Sequence, residues 1–102
     1  MLVQIEQTPN PNSMKYIVEE EWINFIWECN NEFDAEKSLL AQKLWKIEGV
    51  SYLMFGKKFV SITKHDKSNW QEIHGIVLDV VSELLKNNKS VFGSGEVKKV
   101  KI

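Results

Sequence analysis

The spacing of apolar residues in the middle of the chain changes from a helical period to a strand period at Gly49. Leu40, Leu44 and Ile47 recur at intervals of three or four residues, which predicts a helix with one apolar face. Gly49 follows, and glycine takes the left-handed conformation just beyond a helix end at no steric cost. We therefore predict that this helix ends immediately before Gly49 and that the next element is a strand.

The following segment has the pattern of an antiparallel β-hairpin. Two runs of β-branched and aromatic residues, 50–55 and 59–63, flank a short Gly-Lys-Lys turn. With the two lysines at the tip, the register is fixed, and a slip by one residue would send half of the apolar side chains to water. This register places four apolar side chains on one face, namely Leu53, Phe55, Val60 and Ile62.

The N-terminal third alternates between apolar and polar residues, as half-buried strands do. Residues 2–6 and 14–18 predict two strands, and the apolar run Trp22–Trp27 predicts a short third strand with both faces partly covered. The segment from Cys29 onwards is polar and turn-like. The first helix is expected to begin near Asp34 or Ser38, either of which could cap it.

The last helix has the clearest amphipathic pattern in the sequence. Its start carries two possible capping boxes, Ser68 with Gln71 or Asn69 with Glu72. Its apolar residues follow the i, i+3, i+4, i+7 rule and are expected to face the core. They are Trp70, Ile73, Val77, Val80, Val81, Leu84 and Leu85.

Together these elements predict an α+β fold. We expect a two-layer sandwich, a mostly antiparallel sheet of four to five strands with two helices on one face, in the order β-β-(β)-α-β-β-α. The domain should span residues 1–88. Residues 89–102 are expected to form a linker or tail, because Gly93-Ser94-Gly95 is typical of flexible linkers and 97–102 suits a short edge strand or a disordered end.

Composition narrows the class of protein. At 102 residues the chain is long enough for one domain with a modest core, and 43% apolar residues favour a folded globule. A net charge of −1 gives no general attraction for nucleic acid, and no apolar run is long enough to span a membrane. Cys29 is the single cysteine, which excludes an internal disulfide and suits a reducing compartment. We expect a cytoplasmic protein, or a mitochondrial matrix protein if a transit peptide has been removed.

No residues are spaced for catalysis or for metal binding. Cys29 is a weak candidate ligand, because a lone cysteine is usually a small buried apolar side chain. His65 falls in a predicted loop and His74 beside the apolar face of the last helix, and no third ligand has a suitable spacing. No local motif signals a nucleophile with its base, so the sequence does not predict an enzyme.

Four blocks of the sequence resemble the N-terminal domain of Nfu/NifU-type iron–sulfur scaffold proteins. They are TPNPNSMKY at 8–16, SLLAQKLWKIEGV at 38–50, FGKKFVSITK at 55–64, and Trp70 at the start of the last helix. Their order and spacing agree with that family across residues 2–88, and the proline–asparagine block is the most specific of them.

The resemblance implies a carrier that receives or passes an iron–sulfur cluster. In that family the cluster is ligated by a C-x-x-C pair on a separate C-terminal domain, and this sequence contains no such pair. The resemblance therefore implies a non-catalytic docking domain that binds no cluster itself. Such a domain would contact iron–sulfur assembly proteins or client apoproteins. A standalone adaptor with the same fold and no cluster role remains the alternative.

The stiff proline–asparagine segment is the candidate docking surface. Each proline fixes its own φ and restricts the residue before it, which serves a rigid strand connection and a preformed binding surface equally well. Burial is the favoured interpretation of the four tryptophans. Trp70 is expected in the core, and Trp22 and Trp27 flank a predicted strand and could cover the open face of the sheet. Trp45 lies off the apolar stripe and is the best contact candidate. The candidate surface therefore comprises Thr8, Pro9, Asn10, Pro11, Asn12, Lys15 and Trp45.

Overall fold

A computed structural model describes residues 3–87 and 91–92 of the chain. In these ranges five strands and three helices follow one another in the order β-β-β-α-α-β-β-α. The elements are β1 (Val3–Gln7), β2 (Ser13–Val18), β3 (Trp27–Cys29), α1 (Glu32–Ala35), α2 (Leu39–Trp45), β4 (Val50–Gly56), β5 (Phe59–Lys64) and α3 (Trp70–Lys86).

The strands form one antiparallel sheet in the order β1-β2-β5-β4-β3, with the helices packed on one face. This confirms the predicted α+β class and its two layers. The β4–β5 hairpin has the predicted register, because Phe55 pairs with Val60 and Leu53 pairs with Ile62. The additional helix is α1, a single turn that the apolar pattern did not signal.

The core lies between the sheet and the helices. Strand β2 is buried at every second residue, and its inward side chains continue the apolar face of the hairpin across the sheet. Helix α3 contributes one ridge spaced by four residues, whose members are Ile73, Val77, Val81 and Leu85. Val80 and Leu84 were predicted to face the core but are only partly buried and line a shallow groove against α2. The observed core face of α3 is therefore narrower than the predicted one.

The predicted third strand at Trp22–Trp27 is wrong in position. Trp22 and Ile23 are buried in coil, and the strand begins only at Trp27 and ends at Cys29. The backbone N–H of Trp22 donates to the Lys57 carbonyl oxygen (3.1 Å), and its indole Nε1 donates to that of Gly56 (2.9 Å). The segment therefore crosses the tip of the β4–β5 hairpin instead of running beside a strand.

Trp22 and Trp27 do not cover the open face of the sheet. Trp27 pairs with Phe55 in the register of β3 and β4, so both side chains point to the helix-covered face. The ring of Phe55 lies 5.3 Å from that of Trp27 and 6.2 Å from that of Trp22. The two tryptophans therefore enlarge the core at the β3 edge.

Ser38 is the cap of the main helix that precedes the hairpin. Its Oγ accepts the backbone N–H of Ala41 (3.1 Å), as an N-cap side chain does, and donates to the carbonyl oxygen of Val91. Asp34 is not a cap, because it lies inside α1, whose N-cap is Asn31. Asn69, one of the two predicted alternatives, caps α3 through the N–H of Gln71 (2.8 Å).

Most of the predicted linker or tail at 89–102 lies outside the described residues. Val91 is fully buried, and its N–H donates to the Trp22 carbonyl oxygen (3.2 Å). The ring of Phe92 packs 4.7 Å from that of Trp27. The chain after α3 therefore returns to the aromatic part of the core at residues 91–92.

Candidate docking site

A polar network fixes the connection between β1 and β2 to the end of β5. The ammonium group of Lys64 donates to Asn12 Oδ1 (3.0 Å) and to the carbonyl oxygens of His65 (3.3 Å) and Asp66 (3.5 Å). Asn12 Nδ2 donates to Asp66 Oδ1, and the backbone N–H of Lys64 donates to the Asn12 carbonyl oxygen (2.8 Å). Only 8% of Lys64 is exposed. A buried ammonium requires such partners, so the network fixes the position of the β1–β2 connection relative to the end of β5.

Trp70 joins the same corner from the first turn of α3. Its indole Nε1 donates to the Pro11 carbonyl oxygen (3.1 Å), and the ammonium of Lys64 lies 5.9 Å from its ring centroid. The imidazole of His74 stacks on the ring with a centroid distance of 5.4 Å. Trp70 is half-buried rather than a full core residue, because one part packs on the core while another part faces the loop.

The loop is also braced from within. Thr8 Oγ1 lies 2.9 Å from the carbonyl oxygen of Asn10 and 3.1 Å from that of Ser13, and it accepts the Asn10 N–H (3.2 Å). Asn10 Oδ1 accepts the N–H of Asn12 (2.9 Å). These local bonds replace ladder bonds that the two prolines cannot make. The side chains of residues 9–11 remain exposed on this rigid support.

A pocket of about 250 Å³ lies between the loop and α3. Residues 7–11 form one part of its wall, and Ser13, Met14 and Trp70 complete it. We call the loop, this pocket and the network around Lys64 the β1–β2 corner. It combines exposed loop residues with an aromatic wall and a backbone fixed by hydrogen bonds.

The two other predicted contact residues lie apart from the pocket. Lys15 points to the open face of the sheet, where its ammonium lies 4.5 Å from the ring centroid of Phe59. Trp45 is the last residue of α2 and packs half-buried against the core. The structure therefore brings together Thr8 to Asn12 but places Lys15 on the other side of the sheet.

The network predicts a measurable cost for Asn12→Ala. The substitution removes one of the oxygen partners of a buried ammonium, and hydrogen bonds to charged groups are worth more than neutral ones. We expect a loss of about 1–2 kcal/mol in the free energy of unfolding and faster amide exchange at Lys64, whose N–H donates to the Asn12 carbonyl oxygen. Urea unfolding and hydrogen-exchange NMR measure the two effects. Asn24→Ala, at an exposed coil position, is the control; equal losses in both variants would contradict the network.

Cys29 is buried, and its thiol is expected to be unreactive. Its side chain is fully buried on β3, and Sγ donates to the Asn31 carbonyl oxygen (3.5 Å). Burial, with a smaller contribution from the Asp34 carboxylate, raises the pKa of the thiol to about 11. Since metals bind the thiolate, this environment disfavours ligation. Neither the burial nor the raised pKa is what a cluster ligand needs.

The raised pKa predicts slow labelling of Cys29. A pKa near 11 in place of 9.0 lowers the thiolate fraction at pH 7.5 about 100-fold, before steric protection is counted. We expect Ellman's reagent to react at least about 100-fold more slowly with the native chain than with the urea-unfolded chain. The chain has one cysteine, so the signal comes from one site. Native labelling within tenfold of the unfolded rate would show an accessible thiol.

The two histidines are not a metal pair. His74 Nδ1 lies 2.6 Å from the hydroxyl of Tyr16, whose pKa is raised by burial. His65 is exposed in the loop that follows β5. Across residues 3–87 and 91–92, no three His, Cys, Asp or Glu side chains are grouped so that they could hold a metal ion. Over those ranges, too, none of the helices has the length and apolar content to cross a bilayer.

Sequence reasoning missed Lys64 and Asp66 as parts of the site. Lysine in a strand next to a loop is an ordinary surface residue by pattern, and nothing local marks it as buried. The sequence feature that could have pointed to Lys64 was the presence together of three blocks, namely the proline–asparagine block, the block that ends at Lys64, and Trp70. The structure shows that these three blocks meet at one corner.

Comparison with curated proteins finds relatives among iron–sulfur scaffold proteins. The human protein named NFU1 iron-sulfur cluster scaffold homolog, mitochondrial, is 33% identical over 89 residues, covering 78% of this chain and 34% of the relative. A NifU-like protein of Schizosaccharomyces pombe is 32% identical over 101 residues, covering 94% of this chain and 38% of the relative. The chain thus spans about a third of the length of the curated relatives it matches.

Solved structures have the same fold. The solution structure of a NifU-like protein from Saccharomyces cerevisiae matches with a TM-score of 0.79 at 24% identity, covering 89% of this chain and 83% of that one. A crystal structure of a Staphylococcus aureus protein matches with a TM-score of 0.69 at 25% identity, covering 79% and 99%. These likenesses agree with the five-stranded antiparallel sheet and its single helical layer.

The family assignment rests on a match over most of the chain. The family model described as "Scaffold protein Nfu/NifU N terminal" matches residues 3–88. That range contains every strand and helix of the described structure and the whole β1–β2 corner. The chain therefore belongs to the family of the Nfu/NifU scaffold protein N-terminal domain.

Proposed function

We propose that this chain is a non-catalytic docking domain of an iron–sulfur cluster scaffold or carrier. It acts by contact with other proteins, and the cluster is held by a separate C-x-x-C domain. The family supports the scaffold role, and the division of labour between the two domains is our proposal. The candidate contact is the β1–β2 corner.

The observation that carries the proposal is the convergence of three family blocks at this corner. Lys64 and Trp70 lie more than 50 residues after the Thr8–Asn12 loop, yet each holds it through a named hydrogen bond, Lys64 to Asn12 Oδ1 and Trp70 to the Pro11 carbonyl oxygen. So much bracing exceeds what a turn between two antiparallel strands requires, since two residues suffice for a hairpin. A preformed surface binds without the cost of ordering a loop, which is the advantage a docking site gains from it.

The environment of Cys29 supports a cluster site elsewhere. Iron–sulfur clusters are normally held by four thiolates, and the single thiol of this chain is buried with a raised pKa. The curated relatives are about three times longer than the part matched here. A second domain with the C-x-x-C pair would complete the carrier.

The expected partners are iron–sulfur assembly proteins or client apoproteins. The near-neutral charge of the chain gives no support for nucleic acid or anionic membrane as a partner. Several relatives are mitochondrial by name, which favours the mitochondrial matrix over the cytoplasm among the two compartments that the sequence allows.

The test is affinity capture from an extract of the source organism with three versions of the chain. Pro9→Glu places a charge on the exposed loop and leaves the bonds of Asn12, Lys64 and Trp70 in place. Gln4→Glu puts the same charge on β1, where Gln4 faces the open side of the sheet, away from the pocket. We expect wild type and Gln4→Glu to enrich iron–sulfur assembly proteins or client apoproteins, identified by mass spectrometry, and Pro9→Glu to lose them.

Two results would contradict the proposal. Equal capture by Pro9→Glu would place the contact away from the β1–β2 corner. Capture of proteins without any link to iron–sulfur chemistry would instead favour the standalone adaptor.

A further inference from the structure

We propose that the pocket in the β1–β2 corner binds one uncharged, apolar side chain presented by an extended segment of the partner protein. The inference rests on the proposed docking function and specifies the chemistry of its contact. It follows from the lining of the pocket, from its size and from its position beside an edge strand.

The lining contains no charged residue. The ammonium of Lys64 is nearby but is turned into its own network with Asn12 and the carbonyl oxygens of His65 and Asp66, outside the wall of the pocket. A charged side chain entering the pocket would lose water without gaining an opposite charge. The electrostatic complement of this pocket is therefore a neutral group.

Three polar groups of the wall are already paired with protein partners. The Thr8 hydroxyl is engaged with the Asn10 backbone, the Ser13 hydroxyl lies 2.7 Å from that of Thr63, and the indole N–H of Trp70 is donated to Pro11. The surfaces left to a ligand are those of Met14, two proline rings and the indole face, together with the side-chain amides of Gln7 and Asn10. Such a wall, with apolar surfaces, a few polar groups and no charge, favours an aliphatic or aromatic side chain over a charged one.

The volume suits one side chain. An apolar cavity of about 150 Å³ accommodates benzene, and this pocket measures about 250 Å³. A leucine or phenylalanine side chain therefore fits in the pocket while the backbone of the partner segment stays outside it. The rigid loop keeps the pocket open in the free protein, so entry requires no rearrangement.

The position of the pocket favours an extended segment as the carrier of that side chain. Gln7, which lines the pocket, is the last residue of β1, and β1 is an edge strand of the sheet in the described chain. Edge strands accept extended peptides, with pockets selecting alternate side chains. A segment lying along β1 reaches the pocket at the end of the strand.

The experiment titrates the full chain with four capped amino acids, followed by ¹H–¹⁵N NMR. N-acetyl-leucine amide and N-acetyl-phenylalanine amide are the apolar probes, and the N-acetyl amides of aspartate and lysine are the charged ones. The indole N–H signal of Trp70 reports the pocket. We expect saturable shifts with the apolar probes, at a Kd of roughly 1–10 mM for ligands of this size, and none with the charged probes.

Gln7→Arg and Gln4→Arg form a matched pair on β1. Both residues are exposed, but Gln7 lines the pocket and Gln4 faces the other side of the sheet. We expect Gln7→Arg to weaken the apolar probes at least about fivefold and Gln4→Arg to leave them unchanged. Gln7→Glu repeats the test with the opposite charge if the arginine variant does not give a folded spectrum.

Absence of saturable shifts, equal binding of a charged probe, or equal weakening by Gln4→Arg would overturn the inference. These results are independent of the proposed function. Capture of iron–sulfur proteins without probe binding would reject only the pocket, whereas probe binding without such capture would reject only the iron–sulfur role.

Discussion

Phe55→Ala should cost about 3–5 kcal/mol in the free energy of unfolding, the largest effect that we expect from one substitution. Phe55 has no exposed surface and lies between the rings of Trp22 and Trp27. Three elements meet there, namely the hairpin, β3 and the coil before β3, so the cavity cannot close without moving backbone. Domains of this kind have a total stability of roughly 5–15 kcal/mol, and the loss is a large part of it.

Urea unfolding followed by far-UV circular dichroism measures this loss without relying on tryptophan fluorescence, which the substitution itself would change. Phe33→Ala is the matched control, because 69% of Phe33 is exposed on α1. It should change stability by less than about 0.5 kcal/mol. Similar values for the two variants would show that Phe55 is not a central core residue.

Gly49→Ala should cost about 2–4 kcal/mol, for two separate reasons. Gly49 has a φ of 101°, in the left-handed region that residues with a Cβ rarely adopt. A Cβ at this position would also lie 2.7 Å from the Cβ of Ser68, in the loop before α3. The alanine must therefore strain the turn into β4 and displace the residue that precedes the helix cap.

Gly75→Ala provides the matched control with the opposite expected sign. Gly75 lies in the middle of α3, and a Cβ there meets no heavy atom within 4 Å. Alanine should stabilise the helix by about 0.5–1 kcal/mol. Both substitutions restrict the unfolded chain in the same way, so their difference reports the folded state. A neutral Gly49→Ala would mean that the turn tolerates another conformation.

The parts of the fold that follow from local pattern were predictable from the sequence. The predicted hairpin register was confirmed. It was predictable because the alternation of apolar residues and the turn sequence both lie within about fifteen residues. Helix α3 was confirmed because its apolar ridge and its Asn69 cap are also local signals. The third strand was placed wrongly, since Trp22 is held by carbonyl oxygens of Gly56 and Lys57, more than thirty positions later.

The candidate site was predictable only in part, for the same physical reason. The stiffness of Thr8 to Asn12 was predictable from its two prolines and two asparagines. The buried ammonium of Lys64 has three oxygen partners, and one of them, Asn12 Oδ1, comes from 52 positions away. No local pattern of apolar residues predicts that burial. Trp70 was expected in the core, because helical periodicity does not show that the first turn of α3 contacts the loop, where the Pro11 carbonyl oxygen accepts the indole N–H.

Anaerobic reconstitution with iron and sulfide tests the central claim most directly, namely that this domain docks proteins and does not itself hold the cluster. The full chain is incubated under reducing conditions, desalted, and its visible absorption and bound iron are measured beside a Cys29→Ala variant. We predict a colourless protein without stoichiometric iron in both cases. A visible chromophore that survives desalting in the wild type and disappears in Cys29→Ala would show that the domain ligates a cluster and would contradict the account.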